Sequence, residues 1–179
     1  MENFLYDKKT IYGFAKHYET GEPLPEEIFE KLLKQKTFSA GLMLMRQLYL
    51  GQMDMELHSN FNPEEESIFD VQRRMAAKYQ PHNLPLEGDR FLCAFTHIFA
   101  GGYSAGYYSY KWAEVMSADA FGAFEEAGLE NEDEIRKIGK KFRETVLSLG
   151  GAVKASEVFR MFRGRDPSPD ALLRHNGLL

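Results

Sequence analysis

Residues 90–121, RFLCAFTHIFAGGYSAGYYSYKWAEVMSADAF, decide how this chain is organised, because an irregular segment leads directly into a long helix there. Residues 91–110 contain no Asp, Glu, Lys or Arg, but a membrane span needs about 20 predominantly apolar residues. This run instead contains a histidine, a threonine, two serines, three glycines and four tyrosines. We therefore predict an unusual loop over residues 91–102 and a helix over residues 105–127 that Gly128 ends.

Helical periodicity also dominates on both sides of this stretch, and no long alternating run indicates a β-sheet. Gly21 is a plausible helix stop, Pro25 suits a first turn, Asn62-Pro63 before three glutamates is a start signal, and Asn131 can cap a helix. We expect an all-α fold in which residues 1–179 form a single helical unit. The predicted helices cover residues 4–18, a stretch that starts at 25, then 38–58, 62–79, 132–149 and 156–162, with a last turn from 168.

Composition and charge exclude several classes of protein. The 179 residues are 44% apolar and 27% charged, which is typical of a globular domain. The net charge of −5 and the dispersed lysines and arginines argue against nucleic acid or an acidic membrane surface as a partner. Cys93 is the only cysteine, so an intrachain disulfide cannot form and a reducing compartment is expected. Its apolar neighbours predict a buried, inert thiol.

The motifs of an independent catalytic centre are missing from the sequence. Its five histidines include no pair at HExxH spacing, and one cysteine cannot form CxxC. There is also no GxSxG nucleophile elbow and no phosphate-binding GxxxxGKS/T loop. We predict that this chain alone has no metal site and no nucleophile, so its status as an enzyme depends on what completes it.

The tyrosines that follow the glycine pair are the informative feature. On a continuous helix, Tyr103, Tyr107 and Tyr110 would occupy one face, where several phenol groups could point into a common cavity. Phenol donors can stabilise a developing oxyanion, and two adjacent glycines permit backbone conformations that are closed to other residues. The alternative is that these tyrosines are packing residues with surface hydroxyls. For Tyr108 and Trp112, on another face, core packing is the prediction.

At these residues the sequence resembles the C-terminal part of the thimet oligopeptidase family of zinc metallopeptidases, peptidase family M3, which includes oligopeptidase A. The resemblance rests on residues 90–121 and on three further stretches: KHYETGEPLPEE at 16–27, FRETVLSLGG at 142–151 and RGRDPSPDALLRHNGL at 163–178. The HIFAGGY spacing is similar to that of the oligopeptidase A branch. The implied fold is a helical part of the catalytic lobe of a zincin-like oligopeptidase.

The resemblance also implies what this chain lacks. In the family, zinc is held by the two histidines of HExxH and a downstream glutamate, and these elements precede the matched region. The start, MENFLY, is similar to the family's stretch just after that glutamate, so Glu2 is expected to be a neighbour of the metal site and not a ligand. Zinc is therefore expected in the full-length enzyme and not in this chain alone.

Residue by residue, the resemblance implies two roles within the loop. Tyr103 and Tyr110 match the family tyrosines that hydrogen-bond the scissile carbonyl oxygen and steady its oxyanion, which makes them the expected catalytic residues. The expected substrate-binding residues are a histidine near the scissile bond, a tyrosine that lines the site and two glycines that bring the tyrosines over the substrate: His97, Tyr107, Gly101 and Gly102.

The arginines of RGRDP, Arg163 and Arg165, are expected to form weak surface ion pairs.

Three functions remain open from the sequence. The first is a fragment of a zinc-dependent oligopeptidase that hydrolyses short peptides. The second is a stand-alone helical module that binds peptides without hydrolysing them. The third is one subunit of a two-chain peptidase completed by a polypeptide with HExxH.

The expected partners are short peptides and the missing zinc-binding portion, with self-association through the Leu/Met-rich third helix or the tyrosine face. The expected compartment is the cytosol or an organelle matrix or stroma.

Overall fold

The computed structural model describes residues 2–179, and within that range the chain is all-α, as predicted. The described residues form no β-strand; an isolated bridge pairs Lys16 with Pro23. Short 3₁₀ turns and one π-helical turn, at Glu2–Tyr6, Thr96–Ile98 and Arg143–Leu147, supplement the α-helices. The α-helices are α1 (Lys8–Phe14), α2 (Glu26–Thr37), α3 (Ala40–Ser59), α4 (Ile68–Tyr79), α5 (Phe91–Ala94), α6 (Ser109–Ala127), α7 (Glu132–Phe142), α8 (Ala155–Arg163) and α9 (Asp170–His175).

Side-chain caps fix where several of these helices start. The predicted cap of α7 is confirmed, because the Asn131 side chain accepts a hydrogen bond from the Glu134 N–H at 3.3 Å. The predicted start of the fourth helix at Asn62-Pro63 is wrong. That helix, α4, begins after Ser67, whose hydroxyl accepts from the Asp70 N–H while the Asp70 carboxylate accepts from the Ser67 N–H. This reciprocal capping box provides a stronger start than the proline does.

The predicted first helix is interrupted for the same kind of reason. The Asp7 carboxylate accepts a hydrogen bond from the Thr10 N–H at 2.8 Å and starts α1 afresh after the 3₁₀ turn. The helix then ends at Phe14, before the predicted end at residue 18. Local side-chain capping thus divides one periodic stretch into two short elements.

By its internal contacts the chain divides into two compact units. One comprises residues 39–113, and the other comprises the residues up to Phe38 together with Glu114–Leu179. The residues of the first of these units include α3, α4 and α5, and α3 packs along α4. Its core is formed by buried apolar side chains, each of which stabilises the fold by about 1.5–3 kcal/mol when large and fully buried: Tyr49, Leu50, Met53, Val71, Met75, Ala76, Leu92, Phe95 and Ile98.

The other unit has an aromatic core and a buried ion-pair cluster. Phe121, Phe124 and Phe162 form the buried part of this core. The expected weak surface pairing is wrong for Arg163, whose side chain is only 7% exposed and whose Nε lies 3.1 Å from a buried Asp119 oxygen. Folding places the Asp119 carboxylate against the loop that follows α8, where it contacts Arg165 and Ser168. The RGRDP motif alone does not predict this contact.

Three further sequence predictions fail on burial. Cys93 is exposed, although its apolar neighbours predicted a buried thiol. Tyr108 and Trp112 were predicted to pack in the core, but they are 58% and 51% exposed. Near Cys93 the side chains that turn towards the core are those of Leu92 and Phe95, which are buried on either side of it. Among the helices of residues 2–179, none is long and apolar enough to cross a membrane.

Candidate functional site

The loop that contains the predicted site residues lies within the unit of residues 39–113 and connects α5 with α6. Its backbone folds back on itself: the Gly101 N–H donates to the Thr96 carbonyl oxygen at 2.8 Å, and the Tyr103 N–H donates to the His97 carbonyl oxygen at 2.9 Å. The Ser104 hydroxyl donates to the Ile98 carbonyl oxygen at 2.7 Å. These bonds give the loop a defined shape between two helices.

The two adjacent glycines are required for different reasons. A Cβ atom at Gly101 would lie 2.7 Å from the His97 Cα, so only glycine fits where the backbone crosses itself. Gly102 has open space around it, but its φ of +83° is in the left-handed region that favours glycine. Close approach explains the first glycine, and backbone conformation explains the second.

Helix α6 begins at Ser109 and not at residue 105 as predicted. Tyr103 and Tyr107 therefore lie in the turns that precede the helix, and only Tyr110 lies within its first turn. The left-handed φ of Ala105, +51°, is incompatible with a helix that runs through this residue. The tyrosines were predicted to meet along one helix face, but the structure brings them together through a folded loop.

The three tyrosine rings form one contiguous cluster. The rings of Tyr103 and Tyr110 stack with their centroids 4.8 Å apart, and the Tyr107 ring lies 5.1 Å from that of Tyr110. Tyr107 is also anchored to the core, because its ring meets the buried Phe95 ring edge-on at 5.1 Å. The cluster thus has one tyrosine attached to the core and two that stack beyond it.

The surroundings of Tyr107 and Tyr110 raise the pKa of each phenol. The side-chain hydrogen bond between Tyr103 and Tyr110, together with partial desolvation and the neighbouring phenols, raises the pKa of Tyr110 above 10.0. Desolvation by burial raises the pKa of Tyr107 above the same value. Since a higher pKa preserves the neutral O–H group, both side chains are hydrogen-bond donors at neutral pH.

His97 borders the same cluster. Its ring centroid lies 6.1 Å from those of both Tyr103 and Tyr107, and 5.7 Å from that of Phe95. The side chain is exposed and therefore accessible to a ligand. The structure thus brings together His97, both glycines and the three tyrosines that the sequence pointed to.

The described side chains do not fit a metal site. Across residues 2–179, no group of three or more His, Cys, Asp or Glu side chains is placed to hold an ion. The groups around the tyrosine cluster are phenols, one imidazole and phenyl rings, which are not a zinc ligand set.

A separate cavity of about 590 Å³ lies in the same unit. Its lining includes Arg46, Tyr49, Gln72 and Asp89, and it contains none of the predicted site residues. This cavity and the tyrosine cluster are therefore separate features of the unit.

One residue that contacts this loop, Asp54, was not predicted from the sequence. Asp54, in the middle of α3, is completely buried and accepts hydrogen bonds from the backbone N–H groups of Ala105 and Tyr107, both at 2.9 Å. The available signal was an aspartate within the Leu- and Met-rich stretch that forms α3, four positions before His58.

Comparison with known proteins identifies the family. Residues 1–178 match the sequence model of Peptidase family M3. The chain belongs to peptidase family M3. It is similar to Arabidopsis thaliana organellar oligopeptidase A, chloroplastic/mitochondrial, with 57% identity over all of this chain and 23% of that protein. A probable cytosolic oligopeptidase A of the same plant is 54% identical over all of this chain and 26% of its own length.

A bacterial M3 relative extends this comparison. Escherichia coli oligopeptidase A is 42% identical over 99% of this chain and 26% of its own length. The chain therefore spans about a quarter of the length of the curated relatives it matches. Because the M3 match covers nearly the whole chain, the resemblance drawn from the residues is confirmed at the level of the family.

Proposed function

We propose that this chain is the C-terminal part of a longer zinc-dependent oligopeptidase that hydrolyses short peptides, and that it supplies the loop that binds the substrate and its transition state. Family membership and the quarter-length match to oligopeptidase A relatives support this placement. The observation on which the role of the loop rests is the convergence of the Tyr103 and Tyr110 phenols, whose rings stack with their centroids 4.8 Å apart.

Tyr103 and Tyr110 are the proposed catalytic residues. Both phenols would donate hydrogen bonds to the carbonyl oxygen of the scissile peptide bond, and these bonds strengthen as that oxygen gains negative charge in the tetrahedral intermediate. The raised pKa of Tyr110 supports this role, because a phenol that keeps its proton remains a donor throughout the reaction.

The remaining loop residues are the proposed substrate-binding groups. His97 is exposed beside the tyrosine rings, where its imidazole can hydrogen-bond a peptide. Tyr107, which contacts the core through Phe95, would line the same site. Gly101 and Gly102 would let the backbone carry the tyrosines over the substrate, consistent with the close approach at one and the left-handed conformation at the other.

The metal and its activated water are assigned to the HExxH-bearing portion that, by the family resemblance, precedes this segment in the full-length protein. The 179-residue chain, purified alone, is expected to retain no stoichiometric zinc by plasma mass spectrometry and to cleave no peptide. Stoichiometric zinc or metal-dependent cleavage by this chain alone would contradict the assignment.

The test of the tyrosines uses the zinc-loaded full-length peptidase that contains this segment. Tyr110→Phe and Tyr103→Phe are each expected to lower kcat by about a hundredfold with little change in KM, because each removes a donor that acts mainly in the transition state. Tyr108→Phe is the matched control, since it removes a phenol of the same loop whose side chain points to solvent. Unchanged turnover in Tyr110→Phe would remove its proposed role.

The proposed partners are short peptides and the remainder of the peptidase. Exposed apolar side chains near the start of α3, Leu42 and Met43, support self-association of the isolated chain. A monomer in light scattering at high concentration would argue against that. The organellar and cytosolic oligopeptidase A relatives support an intracellular compartment for this protein too.

A further inference from the structure

We propose that Asp54 is the positioning residue of the tyrosine loop: its carboxylate holds the backbone N–H groups of Ala105 and Tyr107, and thereby sets where the phenols of Tyr103 and Tyr110 lie. The catalytic consequence of this inference rests on the proposed function. The structural part, that one carboxylate fixes the loop, does not depend on it.

The burial of Asp54 makes its bonding partners decisive. The residue is 0% exposed, and a buried carboxylate is strongly unfavourable unless hydrogen bonds replace its water. Oδ1 accepts from the Ala105 N–H at 2.9 Å and lies 2.9 Å from His58 Nδ1, while Oδ2 accepts from the Tyr107 N–H at 2.9 Å. The two backbone N–H donors to this carboxylate therefore both belong to the tyrosine loop, whereas the hydrogen-bond partner of His58 Nδ1 is the Asp54 backbone carbonyl oxygen, at 2.9 Å.

The two loop donors need such an acceptor because of the local backbone. Ala105 is in a left-handed conformation, with φ of +51°, and α6 begins only at Ser109. The N–H groups of Ala105 and Tyr107 therefore precede the helix and have no carbonyl one turn earlier within it. Asp54 satisfies them from 51 and 53 positions away in the sequence, as an N-cap side chain would do from nearby.

The same face of α3 makes two other contacts with the loop. His58, one turn after Asp54, has its ring 6.0 Å from that of Phe99. Gly51, one turn before Asp54, lies against the loop, because a Cβ atom there would be 3.8 Å from the Tyr108 Cα. The loop thus rests on three successive turns of α3, and the carboxylate lies at the centre of that contact.

This anchor lies between the two proposed catalytic tyrosines. Ala105 follows Tyr103 by two residues, and Tyr107 precedes Tyr110 by three, so both fixed N–H groups lie in the backbone that joins the two phenols. A shift of this backbone would change the 4.8 Å stacking of the Tyr103 and Tyr110 rings. Displacements of about 1 Å in positioning groups can cost about a hundredfold in rate.

The first test measures the loop without any catalysis. In the 179-residue chain, Asp54→Asn replaces an acceptor oxygen with an N–H₂ group, which cannot accept a backbone hydrogen bond. Amide exchange over residues 100–110, followed by mass spectrometry, is expected to be at least tenfold faster than in the wild type. Asp70→Asn is the matched control, because Asp70 in the same unit also accepts a backbone N–H, that of Ser67. Equal exchange in this loop for the two variants would overturn the proposal.

The second test uses the zinc-loaded full-length peptidase. Asp54→Asn is expected to lower kcat/KM between tenfold and a hundredfold, mainly through kcat. Because Asp54 is proposed to act through both phenols, adding Asp54→Asn to the Tyr103→Phe/Tyr110→Phe double variant should lower kcat/KM little further, whereas independent structural damage would multiply the effects. Multiplicative effects would overturn the positioning role. Full activity of Tyr103→Phe would refute the proposed function. The amide-exchange experiment would then still test whether Asp54 fixes the loop.

A measurement on the wild-type chain covers the case in which Asp54→Asn does not fold. Nuclear magnetic resonance can detect scalar coupling across a hydrogen bond, here from the amide nitrogens of Ala105 and Tyr107 to the side-chain carboxylate carbon of Asp54. Both couplings are expected in the folded chain. Their absence, while couplings across ordinary helix hydrogen bonds are observed in the same spectrum, would overturn the proposal.

Discussion

Each of the two compact units contains a buried carboxylate that holds a distant loop, but the two carboxylates use different donors. Asp54 binds two neutral backbone N–H groups and lies 2.9 Å from His58 Nδ1. Asp119 binds the guanidinium groups of Arg163 and Arg165 and the backbone N–H of Ser168. The difference teaches what each carboxylate is suited for: backbone donors fix the path of a loop, whereas guanidinium donors add charge and link side chains.

The charged donors also change the acidity of Asp119. Burial raises its pKa, but hydrogen bonds from Arg165 and Ser168 and the positive charges of Arg165 and Arg163 outweigh burial, so the pKa lies below its usual value. The cluster extends to the surface, where Glu126 accepts two hydrogen bonds from Arg163, at 2.9 and 2.6 Å. We infer that this cluster serves stability, while the carboxylate under the tyrosine loop serves geometry.

Asp119→Ala tests the stabilising half of this comparison and has the largest expected effect. The variant is expected to lower the free energy of unfolding by about 3 kcal/mol, because removal of one partner leaves the buried Arg163 guanidinium without this carboxylate. Urea unfolding followed by circular dichroism measures the change. Asp166→Ala is the control, since the Asp166–Arg160 pair is mostly exposed and a solvent-screened surface pair contributes little to stability. Equal losses in the two variants would break the comparison.

Gly101→Ala tests whether the tyrosine loop is as tightly packed as the ion-pair cluster. The added methyl group would meet the His97 backbone at 2.7 Å, and overpacking of this kind costs about 1–3 kcal/mol. Urea unfolding again measures the loss. Gly88→Ala is the control, because nothing lies within 4 Å of a Cβ atom at that position and its φ is not in the left-handed region. A loss no larger than that of the control would mean that the loop can relax.

Gly102→Ala separates backbone conformation from packing in the same loop. Space is open around this residue, so the expected cost of about 1 kcal/mol comes only from its φ of +83°. The measurement is the same unfolding experiment, and the loss should be smaller than that of Gly101→Ala. The reverse order would show that backbone conformation, and not close approach, dominates in this loop.

The contribution of the Asp119 cluster to stability depends on pH and is expected to fall as the pH is lowered. Because the folded-state pKa of Asp119 is depressed, its contribution is fully present above its unfolded pKa of about 3.9 and is lost as pH falls through the lower folded value. Asp119→Asn should therefore flatten the loss of stability below about pH 4, as measured by urea unfolding at a series of pH values. An unchanged slope in this range would contradict the assignment.

Asp70, an exposed carboxylate, is expected to contribute less to stability than Asp54 or Asp119. Hydrogen bonds from the Ser67 hydroxyl and backbone, and then from Arg73, lower the pKa of Asp70 from 3.8 to about 2. Its small contribution to stability is therefore present above pH 3.8 and is lost as pH falls through about 2. Ser67→Ala should raise the pKa of Asp70 towards 3.8 in a carbon-detected magnetic resonance titration. A pKa that stays near 2 would show that the backbone N–H of residue 67 and Arg73 are sufficient without the hydroxyl.

Local signals in the sequence predicted most of the helices but not all of their ends. The Asn131 cap and the Gly128 stop could be predicted from the sequence because each acts within one helical turn. The start of α6 was misplaced because residues 105–108 have ordinary helical spacing in the sequence. Only the left-handed Ala105 and the distant acceptor Asp54 exclude them from the helix.

The candidate site could also be predicted, because its residues lie in one short stretch of the sequence. A glycine pair and closely spaced tyrosines in one short stretch pointed to the tyrosine cluster without knowledge of the fold, and the family resemblance added His97. Whether an individual side chain is buried could not be predicted as well from the sequence. Tyr108, Trp112 and Cys93 have apolar neighbours in the sequence, but the side to which each points is set by the path of the loop and helix.

The sequence by itself determined the all-α fold class, the family resemblance and the set of residues in the loop, because periodicity, caps and motifs act over a few positions. Only the tertiary structure decided which carboxylates are buried and what they bind. Asp54 meets its loop donors 51 and 53 positions away, and Asp119 meets Arg163 44 positions away. The physical reason is that the cost of a buried charge, and the partners that offset it, exist only once distant segments have packed together.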